Sequence, residues 1–450
     1  MASAAEQLAA NLNFGVFSKA TELKKRIWFT LAALVVYRLG TWIPLPGVDP
    51  QVLADLFQQN NSGILGMFDM LSGGALSRMT IFALNIMPYI TASIIMQLMT
   101  TVVPSLETLK KEGESGRKKI NQYTRYLTVL ICALQAYGIA VGLESFTGPR
   151  GSAVFDPGMF FRFTTVVTLI GGTLFLMWLG EQITARGVGN GISLIIFAGI
   201  VANLPHALVE ILDLGRTGAL PAVFIVVLGI LALAVIAGIV FVERAQRRII
   251  IQYPKRQIGN KMFGGDSQHM PLKLNTSGVI PPIFAGSLLS MPLTYTSLSG
   301  QSSTAPEWVT TMMTMLGQGH PVHMLIYSAL IIFFAFFYTA VVFNPTDTAD
   351  NLKKNGGFVP GIRPGKNTAD YLDYVLTRLT VLGAAYLVAV CLLPEILMSQ
   401  YHVSFYFGGT SLLIVVTVTI DTVGQIQSHL LAHQYEGLIK KSRLRGKRGT

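Results

Sequence analysis

The chain has 450 residues, of which 51% are hydrophobic and only 13% charged, with a formal net charge of +11. Ordinary soluble domains carry about 25% charged residues, so this balance excludes a soluble globular protein and points to one that sits in lipid. Two cysteines, Cys132 and Cys391, fall inside apolar runs and read as small apolar residues, not as a disulfide framework.

A membrane span takes roughly 20 mainly apolar residues. Ten such windows follow one another: 27–43, 80–103, 123–143, 160–180, 192–212, 219–242, 279–297, 321–343, 373–393 and 408–426. The leading segment, 1–26, lacks the early basic cluster and cleavage site of a signal peptide, so the first window reads as a retained span. Trp28 and Trp42 stand near its two ends, as interfacial anchors do. Next comes GILGMFDMLSGGALSRM (63–79), apolar in part and broken by Ser72-Gly73-Gly74. About ten residues cannot cross a bilayer, so this stretch reads as a short helix that lies on the membrane or re-enters it.

The second and seventh windows are the least regular. Pro88 interrupts the second and Pro281-Pro282 the seventh; each is either an ordinary helix kink or a hinge in a gate. Thr91, Gln135 and Asn275 are polar positions able to hydrogen-bond between spans, at about 0.6–2 kcal/mol each. Ile86 and Ile90 lie four apart and share a helix face, as do Ile192 and Ile196; lipid contact, packing and pore lining all fit that spacing. Between the fourth and fifth windows, the glycines of RGVGNGIS fill a tight turn.

Two long basic loops remain. Residues 243–275 contain RRIIIQY bounded by Tyr253-Pro254, which predicts a hairpin. Residues 344–372 contain GGFVPGIRPGKNTA, stiffened by proline and glycine. Asp421 is the main ionisable residue within a span, and sits at its end. The tail, 427–450, is basic.

Lysine and arginine set the orientation. The two ends and the even-numbered loops hold 29 of them, while the other side holds five. Basic residues near span ends stay cytoplasmic, so both termini are expected inside, facing anionic phospholipids and acidic or nucleic-acid partners. Halves of five spans, 27–212 and 219–426, start in opposite orientations, which fits an inverted repeat.

Chemistry is conspicuous by what is missing. GIRPGKNT is one residue short of a Walker loop and has Asn367 where a magnesium-binding hydroxyl belongs. His429 and His433 share a helix face without a third ligand. No nucleophile, base and metal set suggests an enzyme, no cofactor is implied, and a solute transporter would need a midplane polar cradle that the spans lack.

Five segments carry a resemblance: MFDMLSGGALSRMTIFALNIMPYITASIIMQL, KKEGESGRKKINQYTRYLT, FLMWLGEQITARGVGNGIS, NPTDTADNLKKNGGFVPGIRPGKNTADYL and FYFGGTSLLIVV. In this order, from about residue 20 to 440, the chain resembles the SecY family of protein-conducting channels. The resemblance implies an all-α polytopic membrane protein, with ten transmembrane helices in two inverted five-helix halves around a central pore. It implies a passive, gated channel in the inner membrane that passes unfolded polypeptides and releases apolar segments sideways.

It also assigns residues. The pore ring falls on Ile86, Ile90, Ile192, Ile196, Ile283 and Ile414. The plug, about 64–74, contains Ile64, Leu65, Met67, Phe68, Met70 and Leu71, with Gly73 and Gly74 as its hinge. The lateral gate lies between spans two and three on one side and seven and eight on the other, at Thr91, Gln135 and Asn275. Arg256, Lys261, Arg363 and Lys366 are expected to dock the SecA motor or the ribosome. SecE and SecG are the implied companion subunits, and precursors with signal sequences the cargo. Two departures stand out: Asn260-Lys261 where relatives often carry two basic residues, and Asn85 where glycine is common.

Overall fold

The computed structural model describes residues 21–49, 52, 69, 72–145, 147–148, 151–217, 221–253, 256–258, 261–263, 267–298, 315, 320–401 and 409–446. Each of the ten apolar windows holds a helix: α1 (Thr21–Gly40), α2 (Met87–Val102), α4 (Glu114–Ser145), α5 (Met159–Arg186), α6 (Gly191–Arg216), α7 (Ala222–Arg244), α8 (Ile280–Leu298), α9 (Pro321–Val342), α11 (Lys366–Tyr401) and α12 (Gly409–Gly446). Two short helices, α3 (Pro104–Lys111) and α10 (Pro345–Lys354), lie in loops of the basic face. Among the described residues, seven helices are long and apolar enough to cross a membrane. The count is eight if α2 and α3, bent by 98°, form one span. The chain is a multi-pass membrane protein.

Helix contacts divide the bundle into two halves. The second span packs on the third, the third on the fourth, the fourth on the fifth and the fifth on the first. Spans seven to ten and six repeat that neighbour pattern. The halves meet where α8 packs against α4 and α2, and where α6 packs against α12 and α7. The core at this junction draws Tyr37, Phe82, Ile195 and Ile200 from one half and Ile331, Leu387 and Leu413 from the other. The outward faces are apolar too: α7 exposes Val223, Val226, Val227, Ile230, Leu233 and Phe241. Such a surface is untenable in water and natural in lipid.

The prolines do not kink their helices. Pro88 lies in the first turn of α2, and Pro281-Pro282 in the first turn of α8. There the missing N–H costs nothing, because first-turn amides lack helical partners anyway. The second window is therefore shorter than its apolar run. Residues 81–86 form tight turns, and Met79 and Asn85 take left-handed backbone angles, with φ of 44° and 49°. Asparagine suits position 85, because a left-handed backbone accepts glycine or asparagine far more readily than other residues.

The hairpin expected around RRIIIQY exists. Strand β3 (Gln246–Gln252) pairs antiparallel with β6 (Ser267–Lys273), and β4 (Arg256–Ile258) with β5 (Lys261–Phe263) at its tip. A further small pair, β1 (Thr147–Gly148) with β2 (Gly151–Ser152), lies on the opposite face. The last helix outruns its apolar window: α12 continues past position 426 to Gly446 without a break.

Candidate functional site

All six isoleucines singled out above stand at the starts of four helices. Ile86 caps α2, and its carbonyl accepts from the Ile90 amide at 3.1 Å, so the two lie one turn apart. The turn RGVGNGIS sets the next pair. Asn190 Oδ1 accepts from the amides of Ile192 and Ser193, which starts α6 at that point. Gly191 lets α6 approach α5 so closely that a Cβ there would lie 1.9 Å from the Gly180 carbonyl oxygen. Ile283 follows the proline pair of α8, and Ile414 lies near the beginning of α12. Ile86, Ile90, Ile196 and Ile414 are buried in a single apolar cluster, with Ile192 and Ile283 packed against it. Both halves thus contribute branched side chains to one cluster, with no hydrogen-bonding group among the six.

Most of the stretch expected to form the plug, namely Ile64, Leu65, Met67, Phe68, Met70 and Leu71, lies outside the described residues. The carboxyl-terminal end of the stretch is held by several contacts. Gly73 and Gly74 take φ of 71° and 81°, which glycine adopts without steric cost. Arg38 Nη1 donates to the Gly73 carbonyl at 2.7 Å, and the Tyr37 hydroxyl to that of Ser72 at 3.3 Å. Asp69 Oδ1 accepts from the Ser77 amide at 2.7 Å. A Cβ on Gly73 would lie 3.0 Å from Gly199 Cα. The glycine pair is thus tied to α1 and pressed on α6. Arg78 stacks over Trp42 at 3.9 Å, beside the same turn.

At the seam between the halves, the three expected polar residues do not bond to one another. Thr91 donates to the Met87 carbonyl of its own helix at 3.1 Å. Gln135 Oε1 is buried with no partner among the described residues. Asn275 donates to Glu243 Oε1 at 2.7 Å and to the Gly278 carbonyl at 3.1 Å, and accepts from Ser277 Oγ at 3.0 Å. Its bonds therefore stay within one half.

On the basic face the two long loops form one platform, which their separation in sequence concealed. Gln252 and Phe358 exchange two backbone hydrogen bonds, of 2.9 and 3.0 Å. Ile249 and Leu272 of the hairpin share a core with Val359, Leu372 and Leu376. Arg363 and Lys366 are exposed on this support; Gly361 and Gly365, with φ of 82° and 107°, flank Arg363 and shape the turn, and Lys366 follows directly. Arg256 and Lys261 lie in the paired strands β4 and β5.

Two buried polar contacts carry no local signal in the sequence. His323 Nδ1 and Glu395 Oε1 are 2.7 Å apart, joining α9 to α11, with side chains only 9% and 10% exposed. Both lie at span ends, His323 in the first turn of α9 and Glu395 just beyond the ninth apolar window. The second contact is Glu243 with Asn275. Asp421 itself lies 3.9 Å from Lys273, both exposed, as suits a span end.

A family model for SecY matches residues 80–423. The chain is 56% identical to the protein translocase subunit SecY of Rickettsia conorii over 431 residues, which is 95% of this chain and 99% of the relative. A solved protein-conducting channel superposes with a TM-score of 0.67 at 17% identity, over 90% of this chain and 92% of that one. Sec61 in the canine ribosome–channel complex superposes with a TM-score of 0.63 at 17% identity, covering 90% and 92% of the two chains. With a family match over most of its length and a relative of that identity, this chain belongs to the SecY family.

Proposed function

We infer that this chain is the pore-forming subunit of a protein translocase, a passive channel that passes unfolded secretory polypeptides and releases apolar segments sideways into lipid. The observation that carries this reading is the single apolar cluster into which both halves send Ile86, Ile90, Ile192, Ile196, Ile283 and Ile414. An apolar neck resists wetting by ions. Without fixed hydrogen bonds, it also accommodates any passing side chain. The plug, about 64–74, seals one side of this neck when the channel is idle. The seam of α8 against α2 and α4 is the lateral gate, to which Thr91, Gln135 and Asn275 belong.

The substrate supplies the opening energy. A leucine at a helix centre gains about 0.3–0.6 kcal/mol on insertion. A signal core of about ten leucines thus provides roughly 3–6 kcal/mol, near the ~5.5 kcal/mol that inverts a 1:99 equilibrium. The platform with Arg363, Lys366, Arg256 and Lys261 is the docking post for the SecA motor or a translating ribosome. Its charges suit carboxylates or RNA phosphate. SecE and SecG complete the assembly, and anionic phospholipids border the basic face. The excess of lysine and arginine there favours the inner membrane with both termini in the cytoplasm.

The test is reconstitution of the purified chain with SecE and SecG in vesicles, with SecA, ATP and a labelled precursor added. Protease-protected precursor inside the vesicles is the expected result. Vesicles that never protect precursor, despite bound SecA, overturn the reading.

A further inference from the structure

Asn275 is the hub of the turn that starts α8. Its Nδ2 donates to the Gly278 carbonyl and its Oδ1 accepts from Ser277 Oγ, so it shapes the backbone just before Ile280. The other Nδ2 bond, 2.7 Å to Glu243 Oε1, leaves the turn and reaches the last residues of α7. Glu243 is 9% exposed and Asn275 3% exposed. Burying a carboxylate without a partner is costly, and the bond from Asn275 offsets part of that cost. Two more contacts enclose the pair. The Leu274 amide donates to the Ala245 carbonyl at 3.0 Å and closes the base of the β3–β6 hairpin. Gly383 of α11 comes so near that a Cβ there would lie 3.0 Å from the Leu274 carbonyl oxygen. The hairpin strands spring directly from this base, since β3 begins at Gln246 and β6 ends at Lys273.

We propose that Glu243 is a positioning residue for the gate: through Asn275 it clamps the base of the docking hairpin to the turn that starts α8. Displacing the hairpin then displaces the first turn of the helix that carries Ile283 and forms the seam with α2 and α4. The lever is short, and its weak point is one hydrogen bond. This rests on the docking and gate reading above, and the hydrogen bond adds a specific link between the two.

The test uses the full chain in lipid nanodiscs with SecE and SecG, its two cysteines replaced by serine, and a spin-label pair on exposed positions of α8 and α4. The label distance is measured idle and with non-translating ribosomes bound, and ribosome affinity is measured separately. Glu243→Ala is expected to broaden the idle distance distribution and to reduce the ribosome-induced shift, with affinity unchanged. Loss of one buried hydrogen bond should weaken this coupling about tenfold. Glu243→Gln, which retains an acceptor of the same reach, should restore both readouts. In the double variant with Asn275→Ala, Glu243→Ala should add nothing. Equal distances in the wild type and Glu243→Ala overturn the proposal. So does a glutamine variant as defective as alanine, because charge or fold would then be responsible. Ribosomes that fail to bind the wild type would defeat the docking reading instead, and the idle distribution would still decide on Glu243.

Discussion

Gly191→Ala is the sharpest single perturbation of the neck. The added Cβ would lie 1.9 Å from the Gly180 carbonyl oxygen, whereas real Cβ contacts do not fall below 3.0 Å. Backbone on one side must therefore retreat by about 1 Å, and neither α5 nor α6 can yield locally as a flexible side chain would. Overpacking of this kind costs about 1–3 kcal/mol. The displaced segment is the first turn of α6, which holds Ile192 and Ile196, so the neck should loosen as the protein is destabilised. The control is the same substitution at Gly229 in α7, where nothing lies within 4 Å of the new Cβ. There alanine should be neutral or stabilising, by about 0.5–1 kcal/mol, since glycine weakens helix interiors. Thermal unfolding in detergent and single-channel conductance in planar bilayers read the two effects. If Gly191→Ala matches Gly229→Ala in both, the close helix contact does not hold the neck in shape.

Four further outcomes are expected. Replacing Ile86, Ile192 and Ile414 by glycine, singly and together, should make the idle membrane progressively leaky to ions; unchanged conductance in the triple variant would remove the neck from consideration. Arg363→Glu should reduce motor-driven translocation without lowering insertion of the chain itself, measured by precursor protection and membrane yield. Asn85→Gly should be tolerated, while Asn85→Val forces a β-branched residue to a φ of 49° and should cost about 1–2 kcal/mol in unfolding experiments. Glu395→Ala leaves His323 buried without its carboxylate partner and should destabilise by about 1–3 kcal/mol; a loss well under about 1 kcal/mol would mean that the contact is incidental.

Membrane residence, the number of apolar windows and the uneven distribution of lysine and arginine were all legible in the chain. Each is a sum over neighbouring residues, and a lipid environment responds to such sums. The isoleucine spacing was legible as a shared helix face, but that alone left packing, lipid contact and pore lining open. The prolines misled for a definite reason. Pro88 and Pro281-Pro282 look like interruptions because an apolar run continues on both sides of them, yet the helices begin there. The left-handed backbone angle at Asn85 left no mark in its neighbours and became visible only in the fold.

Tertiary structure alone decided which distant residues meet. Nothing near His323 predicts Glu395, and nothing in the hairpin predicts that Gln252 pairs with Phe358 or that Glu243 holds Asn275. A side chain's local sequence sets its helix and its face. Its partner across 32 or 72 residues depends on how spans from the same half close against one another, and that is settled only when they pack.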